Sequence, residues 1–290
     1  MKPDSRFLDL PKSFWAYVRM LGQKLGYTIR GQGTINVPTF PEILSGLESL
    51  GLSSTEVATA RGKAKKFGSL LCHYFAYRAD VLEIHVEPNL MDARKAKKLF
   101  LEHRKRLKPS CPLPMNKQKG RKKANAYLTC IINMLIEANA GDFTCDYDPR
   151  GLTTITQDSA PLRTLARRVD GAFPKVVNPV AVWEIKEYYH TTTFGSRVAD
   201  GVYETLLDGM ELEELRENEG IHVKHYLMVD AHYTWWDCGK SYLCRIVDML
   251  HMGYVDEVLF GREVVDRIPE LVKEWVAVAK ARDKRERKSK

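Results

Sequence analysis

Hydrophobic and polar positions follow two different rhythms along this chain. In residues 12–28, Phe14, Val18, Leu21 and Leu25 recur at helical spacing, and the glycines and Pro38 that follow break the pattern. Pro41 opens a second predicted helix that runs through Leu50 and stops at Gly51. Residues 53–85 predict a third, with Ser54 or Thr55 as its cap, and residues 89–107 a fourth that carries a basic face. Residues 1–110 are therefore expected to form a mainly helical domain.

Residues 108–123 contain three prolines and no apolar period, which predicts a linker or exposed loop. The grammar then changes. A strongly apolar helix is predicted from Ala124 to Ala140, stopped by Gly141, followed by short strand-like pieces around the turn Asp148-Pro149-Arg150-Gly151. Residues 165–174 and 180–189 predict two strands joined through Lys175–Pro179. Next come a helix over 197–218, a strand over 221–233, a helix over 242–254, a short strand over 255–261 and a closing helix around 269–282. That order predicts an α/β fold, a mixed sheet flanked by helices, over residues 117–279.

Composition sets bounds. With 290 residues and 44% hydrophobic content the chain can bury a substantial core. Its start, MKPDSRFLDL, lacks the basic-then-apolar pattern of a secretory signal, and its apolar runs are short for a bilayer span, so a cytoplasmic protein without membrane contact is expected. Six scattered cysteines without a CxxC pair predict reduced thiols. Cys238, Cys244 and His251 fit no common zinc spacing, and Gly31-Gln32-Gly33 lacks the third glycine of a dinucleotide fingerprint.

Charge changes the picture further. Between Arg94 and Lys123 thirteen Lys and Arg face one acid, Glu102, a balance of +12 that leaves −4 for the rest of a chain whose net charge is +8. A cluster of this kind, including Lys95, Lys98, Arg104, Lys122 and Lys123, is the expected footprint of a polyanion, because each neutralised phosphate releases counterions. The run Lys280–Lys290 reads as a basic, frayed tail.

One predicted strand carries chemistry. Alternation places Val180, Val182, Glu184 and Lys186 on one face, with Ala181, Trp183, Ile185 and Glu187 on the other. If 165–174 and 180–189 form a hairpin, Asp170 lies beside Glu184, and two carboxylates meet next to one ammonium. Carboxylates that close repel one another, and a hard divalent cation such as Mg²⁺ relieves the repulsion.

Asp170, thirteen intervening residues and then Glu184-Ile185-Lys186 on an apolar strand resemble the PD-(D/E)XK nuclease superfamily, to which most type II restriction endonucleases belong. By element order the resemblance covers about residues 117–279, after a helix like Ala124–Ala140, and implies a restriction-endonuclease-like core. Val169 stands where the family name has proline. Carried over, Asp170, Glu184 and the Ile185 carbonyl would bind one or two Mg²⁺ ions. Lys186 would orient the attacking water or stabilise transition-state charge.

The resemblance implies a metal-dependent endonuclease acting on double-stranded DNA, and within that class a type II restriction enzyme. Such an enzyme is expected to be a homodimer and to be paired with a separately encoded DNA methyltransferase. Residues 1–110 would then read or clamp DNA. A structure-specific recombination or repair nuclease and a non-catalytic DNA-binding protein are the alternatives. Tyr189, His190, Thr191, Thr192 and Arg197, just after the strand, can contact phosphates or bases, although the same residues suit a plain polar turn. Glu137 can approach the metal or sit as a solvated helix position. Asp200 and Glu204 read as part of a solvent-exposed acidic face with Asp208 and Glu211, and Trp235 and Trp236 as packing residues.

Overall fold

A computed structural model describes residues 1–118, 121–190 and 195–288, with the backbone alone at 117, 118, 121–123 and 285–288. The N-terminal apolar spacing produces α1 (Lys12–Leu25), α2 (Phe40–Ser49) and α3 (Lys66–Val81). A reciprocal capping box between Thr39 and Glu42 starts α2. The helix expected over 53–85 begins only at Lys66. Before it, the Ser53 hydroxyl accepts from Thr55 N–H at 3.2 Å and Ala58 bridges to Ala64, so local bonds outcompete helix. A π-helical turn, Leu82–Val86, links α3 to α4 (Glu87–Asn89).

Asp92 caps α5 (Ala93–Leu107) by accepting from Lys95 N–H. Its Ala96 and Phe100 join the core of α6 (Tyr127–Asn139). The helix with the basic run therefore packs with the sheet-bearing part of the chain, not with the N-terminal helices as the expected boundary at 110 implied. Between them, the segment expected to be a linker contains an antiparallel hairpin, β1 (Met115–Gln118) and β2 (Arg121–Asn125). It was illegible because its pairing is main-chain and its side chains carry no apolar alternation.

A second hairpin, β3 (Thr154–Gln157) and β4 (Ala160–Thr164), precedes the main sheet. That sheet has the order β5 (Gly171–Phe173), β6 (Ala181–Glu187), β7 (Lys224–Asp230), β8 (Glu257–Phe260). The first pair is antiparallel and the others parallel. Parallel neighbours require crossovers, supplied by α7 (Ser196–Glu219) and α8 (Lys240–His251), and α9 (Val264–Lys288) closes the chain. Ala181, Trp183, Tyr226, Met228 and Leu259 pack under α6 and α9, with the Trp183 and Trp275 rings stacked at 5.4 Å. Leu227, Val229, Val258 and Phe260 pack under α7 and α8. A central strand covered on both faces reads as a near-continuous apolar run, which is how β6 was legible.

The N-terminal helices are fastened to this body by charge as well as packing. Arg78 donates to Asp248 on α8 at 3.1 Å, and the Tyr74 hydroxyl donates to the same carboxylate at 2.7 Å. Arg78 and Asp248 are buried, and the Tyr27 ring lies 5.0 Å from the guanidinium. No described helix is long and apolar enough to cross a membrane.

Removing one partner of a buried ion pair strands the other charge. Asp248→Ala should therefore cost about 3 kcal/mol or more, and Tyr74→Phe only about 1 kcal/mol, in urea denaturation followed by circular dichroism.

Candidate active site

The site is built on the antiparallel pairing of β5 with β6. Gly171 lies opposite Trp183, and the indole packs so closely over it that any Cβ at 171 would sit 2.2 Å from the ring. That register puts Asp170 beside Glu184. Asp170 N–H donates to the Trp183 carbonyl at 3.1 Å and to Glu184 Oε1 at 3.2 Å, while Asp170 Oδ2 accepts from Ile185 N–H at 2.8 Å. The Ile185 N–H thus points to the β5 side, and strand geometry turns its carbonyl to the same edge, beyond the end of the short β5 pairing.

Glu184 has no solvent exposure. Lys186 Nζ donates to Glu184 Oε2 at 2.6 Å and to Glu204 Oε2 at 3.0 Å. α7 approaches this amine through Gly201, where an added Cβ would lie 3.1 Å from Lys186 Cδ. Arg167 meets Glu184 at 2.9 Å, Asp208 at 2.5 Å and Glu204 at 3.4 Å. Four carboxylates, Asp170, Glu184, Glu204 and Asp208, thus surround two cations, Arg167 and Lys186, leaving a formal charge of −2.

The protonation equilibria register this deficit. Burial pushes the Asp170 carboxyl up to about 6, and the Glu184 charge adds to the effect against Lys186 and the Ile185 N–H. Asp208 rises to about 7 by burial and then by repulsion from Glu184. Burial alone would raise Glu184 too, but Lys186 and Arg167 outweigh it and hold that carboxyl below its ordinary value. Burial works against the Lys186 ammonium, yet Glu184 and Asp170 dominate and keep it protonated well above its ordinary range.

The donor set suits a divalent cation of the Mg²⁺ kind. It consists of hard oxygens, its deficit equals one such ion, and Asp208 Oδ1 is buried without a hydrogen-bond partner. Asp170, Glu184 and the Ile185 carbonyl would hold the ion. Among the described residues no three His, Cys, Asp or Glu side chains form a metal cage, and a site of two carboxylates and a carbonyl does not call for one. Beside Asp170 opens a cleft of about 330 Å³ lined by Asp148, Pro149, Arg167, Arg168 and Val169.

Other expected residues are dispersed. Lys95, Lys98 and Arg104 are exposed on α5, which packs on α6 and so lies across the sheet from Glu184 and Lys186. Lys122 and Lys123 lie in β2. That hairpin is tied to the end of β6, because Asn116 Nδ2 donates to Glu187 at 3.0 Å, and Glu187 also accepts from Leu128 N–H at the start of α6. The Tyr189 hydroxyl is turned inward onto Asp230 and is not offered to a phosphate, since the buried carboxylate claims it. His190 and Arg197 are exposed, and Thr191 and Thr192 lie outside the described residues. Glu137 accepts from Ser110 N–H, away from the cluster. Trp235 and Trp236 are buried, as expected of packing residues, and all six cysteines are free.

Sequence reasoning missed Arg167 and misplaced Glu204 and Asp208. The expectation that their helix face is solvent-exposed fails for Asp208, which is fully buried, whereas Glu204 keeps its side chain 43% exposed and yet reaches Lys186. Spacing four residues apart on α7 was the available signal, but it did not distinguish the inward part of an acidic stripe from the outward part.

Fold and site together define a mixed α/β protein with a buried acid and lysine cluster on its central strand, preceded by a helical region. Residues 91–275 match the family described as Domain of unknown function (DUF7687), so the chain belongs to that family. Residues 1–85 match a second, Domain of unknown function (DUF7690), and the two matches part at α4, ahead of the basic helix. No curated protein and no solved structure matches the chain.

An acid whose native value is raised binds its proton more tightly when folded, so the native state is favoured at low pH and loses that advantage as pH rises through the raised value. In chelator-treated protein Asp170→Asn should therefore raise the melting temperature at pH 8, above about 6, and leave it unchanged at pH 4. Thermal melts at the two pH values check this.

Proposed function

We propose that this chain is a Mg²⁺-dependent endonuclease of the PD-(D/E)XK type, with a restriction-endonuclease-like core, that hydrolyses phosphodiester bonds in double-stranded DNA. The observation that supports it best is the locked triad on β5 and β6: Asp170 bonded to the main chain of Ile185, Glu184 in the same register, and the Lys186 amine 2.6 Å from Glu184. A type II restriction enzyme remains the reading favoured among nucleases, working as a homodimer and paired with a methyltransferase. A second reading, a DNA-binding protein with a structural ion cluster, draws on the fact that both Glu184 oxygens already carry cationic partners.

Hydrolysis needs an activated water, neutralised charge on the non-bridging oxygens and a stabilised leaving oxygen. A bound divalent cation supplies Lewis acidity and a more acidic water. Asp170 and Glu184 set the place of the cation. Lys186, firmly protonated, is not a base; it donates hydrogen bonds, orienting water or meeting the charge that grows on phosphate. Burial beneath α7 excludes bulk water and strengthens each of these interactions.

Two measurements follow. Plasmid DNA should be cut with Mg²⁺ and left intact with chelator, and Lys186→Ala should slow cutting by about 10²-fold or more, the scale for losing a transition-state donor; a wild-type rate in that variant removes Lys186 from the chemistry. Discrete fragments would favour restriction over structure-specific cutting. Neutralising Lys95, Lys98 and Arg104 together should weaken binding to all sequences and reduce the slope of log affinity against log salt by about 2.7. Filter binding across a salt series reads that slope, and an unchanged value assigns the α5 face to solvent.

A further inference from the structure

The proposal here rests on the nuclease reading and concerns Arg167, a residue the triad does not contain. Its guanidinium lies where Glu184, Glu204 and Asp208 converge, at 2.9, 3.4 and 2.5 Å. Glu184 Oε1 is shared between Arg167 and Asp170 N–H, and Oε2 between Lys186 and Arg167. A cation approaching Glu184 therefore meets an oxygen pair already neutralised by a planar, permanently charged group. Arg167 is also less enclosed than Glu184 and Asp208. Its side chain is 23% exposed, against 0% for Glu184 and Asp208, and it lines the cleft beside Asp170 together with Arg168. The same side chain thus borders both the acid cluster and the open space next to it.

We propose that Arg167 and a divalent cation compete for Glu184. In the cation-free protein the guanidinium neutralises the acids; when the cation enters, Arg167 turns from Glu184 into the adjoining cleft, where with Arg168 it can pair with a DNA phosphate. Two observations beyond the contacts support this. The cluster carries two positive charges too few for its four carboxylates even with Arg167 in place, so it has capacity for a divalent ion. Chain geometry also makes the exchange short: Arg167 precedes Asp170 by three residues and already faces the cleft, so side-chain rotation suffices without a change in the β5–β6 register. Guanidinium groups suit such a handover because their fork matches carboxylate and phosphate oxygens equally well. Lys186, enclosed under Gly201 and 8% exposed, has no comparable exit.

The test is Mn²⁺ binding by isothermal calorimetry in the absence of nucleic acid, a readout independent of cleavage. Arg167→Gln should bind Mn²⁺ at least about tenfold more tightly than the wild type. Arg168→Gln, which removes the same charge from the exposed neighbour, should change it by less than about twofold, because solvent screens it. Arg167→Lys, whose single ammonium spans fewer of the acids, should give an intermediate gain and serves if the glutamine variant does not fold. With Mn²⁺ saturating and Ca²⁺ substituted where cutting must be prevented, Arg167→Gln should also bind a short duplex several-fold more weakly. Equal or weaker Mn²⁺ affinity in both Arg167 variants, with normal binding by the wild type, overturns the competition while leaving the nuclease reading intact. Equal gains from Arg167→Gln and Arg168→Gln overturn it as well, since they would reflect net charge alone. Absence of Mn²⁺ binding in every variant together with absence of cleavage overturns both.

Discussion

A carboxylate without solvent exposure, Glu184 on the central strand, sets the terms for everything around it. An ionised acid in such a place must be compensated locally, and the chain supplies that compensation from three directions. Lys186 comes from the same strand face two residues on, Arg167 from the segment entering β5, and the main-chain N–H of Asp170 from across the pairing. The three-residue β5–β6 register is what makes these sources converge. Slipping that register by one residue would turn the pair to opposite faces of the sheet. Gly171, held under Trp183, resists such a slip because no larger residue fits there.

Fold and chemistry are linked through the crossover helix. α7 joins β6 to β7 as parallel strands require, and its Val198 and Val202 contribute to the core while Glu204 and Asp208 reach back to Lys186 and Arg167. The acids that balance the cluster are thus delivered by the same element that covers it. On the other face, Glu187 receives the first turn of α6 and fixes the β1–β2 hairpin, so the end of β6 is tied to both layers. Asp230, one strand over, takes the Tyr189 hydroxyl and the Met91 N–H and so binds the entry to α5 to the same end of the sheet.

Much of this was legible because β6 is an apolar run interrupted by two charges, a pattern with few solutions once alternation is applied. Glu184 and Lys186 could be placed on one face from spacing alone, and Asp170 beside them from a hairpin. The order of helices and strands after residue 124 could be read for the same reason, since buried strands and amphipathic helices write different periods. Arg167, Glu204 and Asp208 were not legible, because their pairing spans about forty residues and depends on how far α7 is rotated over the sheet. The β1–β2 hairpin escaped because its polar side chains leave no trace of main-chain pairing. The third helix was overextended because the hydroxyls at Ser53 and Thr55 bond locally, a competition that propensity does not register.

The close passage of α7 over Lys186 has a consequence for temperature. A free lysine carries up to about 2 kcal/mol of rotamer entropy. With its methylenes confined beneath Gly201, that freedom is surrendered once, when the chain folds, instead of at every encounter with a ligand. The amine should then be equally well aimed in a cold and a warm protein until α7 itself loosens, so that loss of aim and loss of tertiary packing coincide.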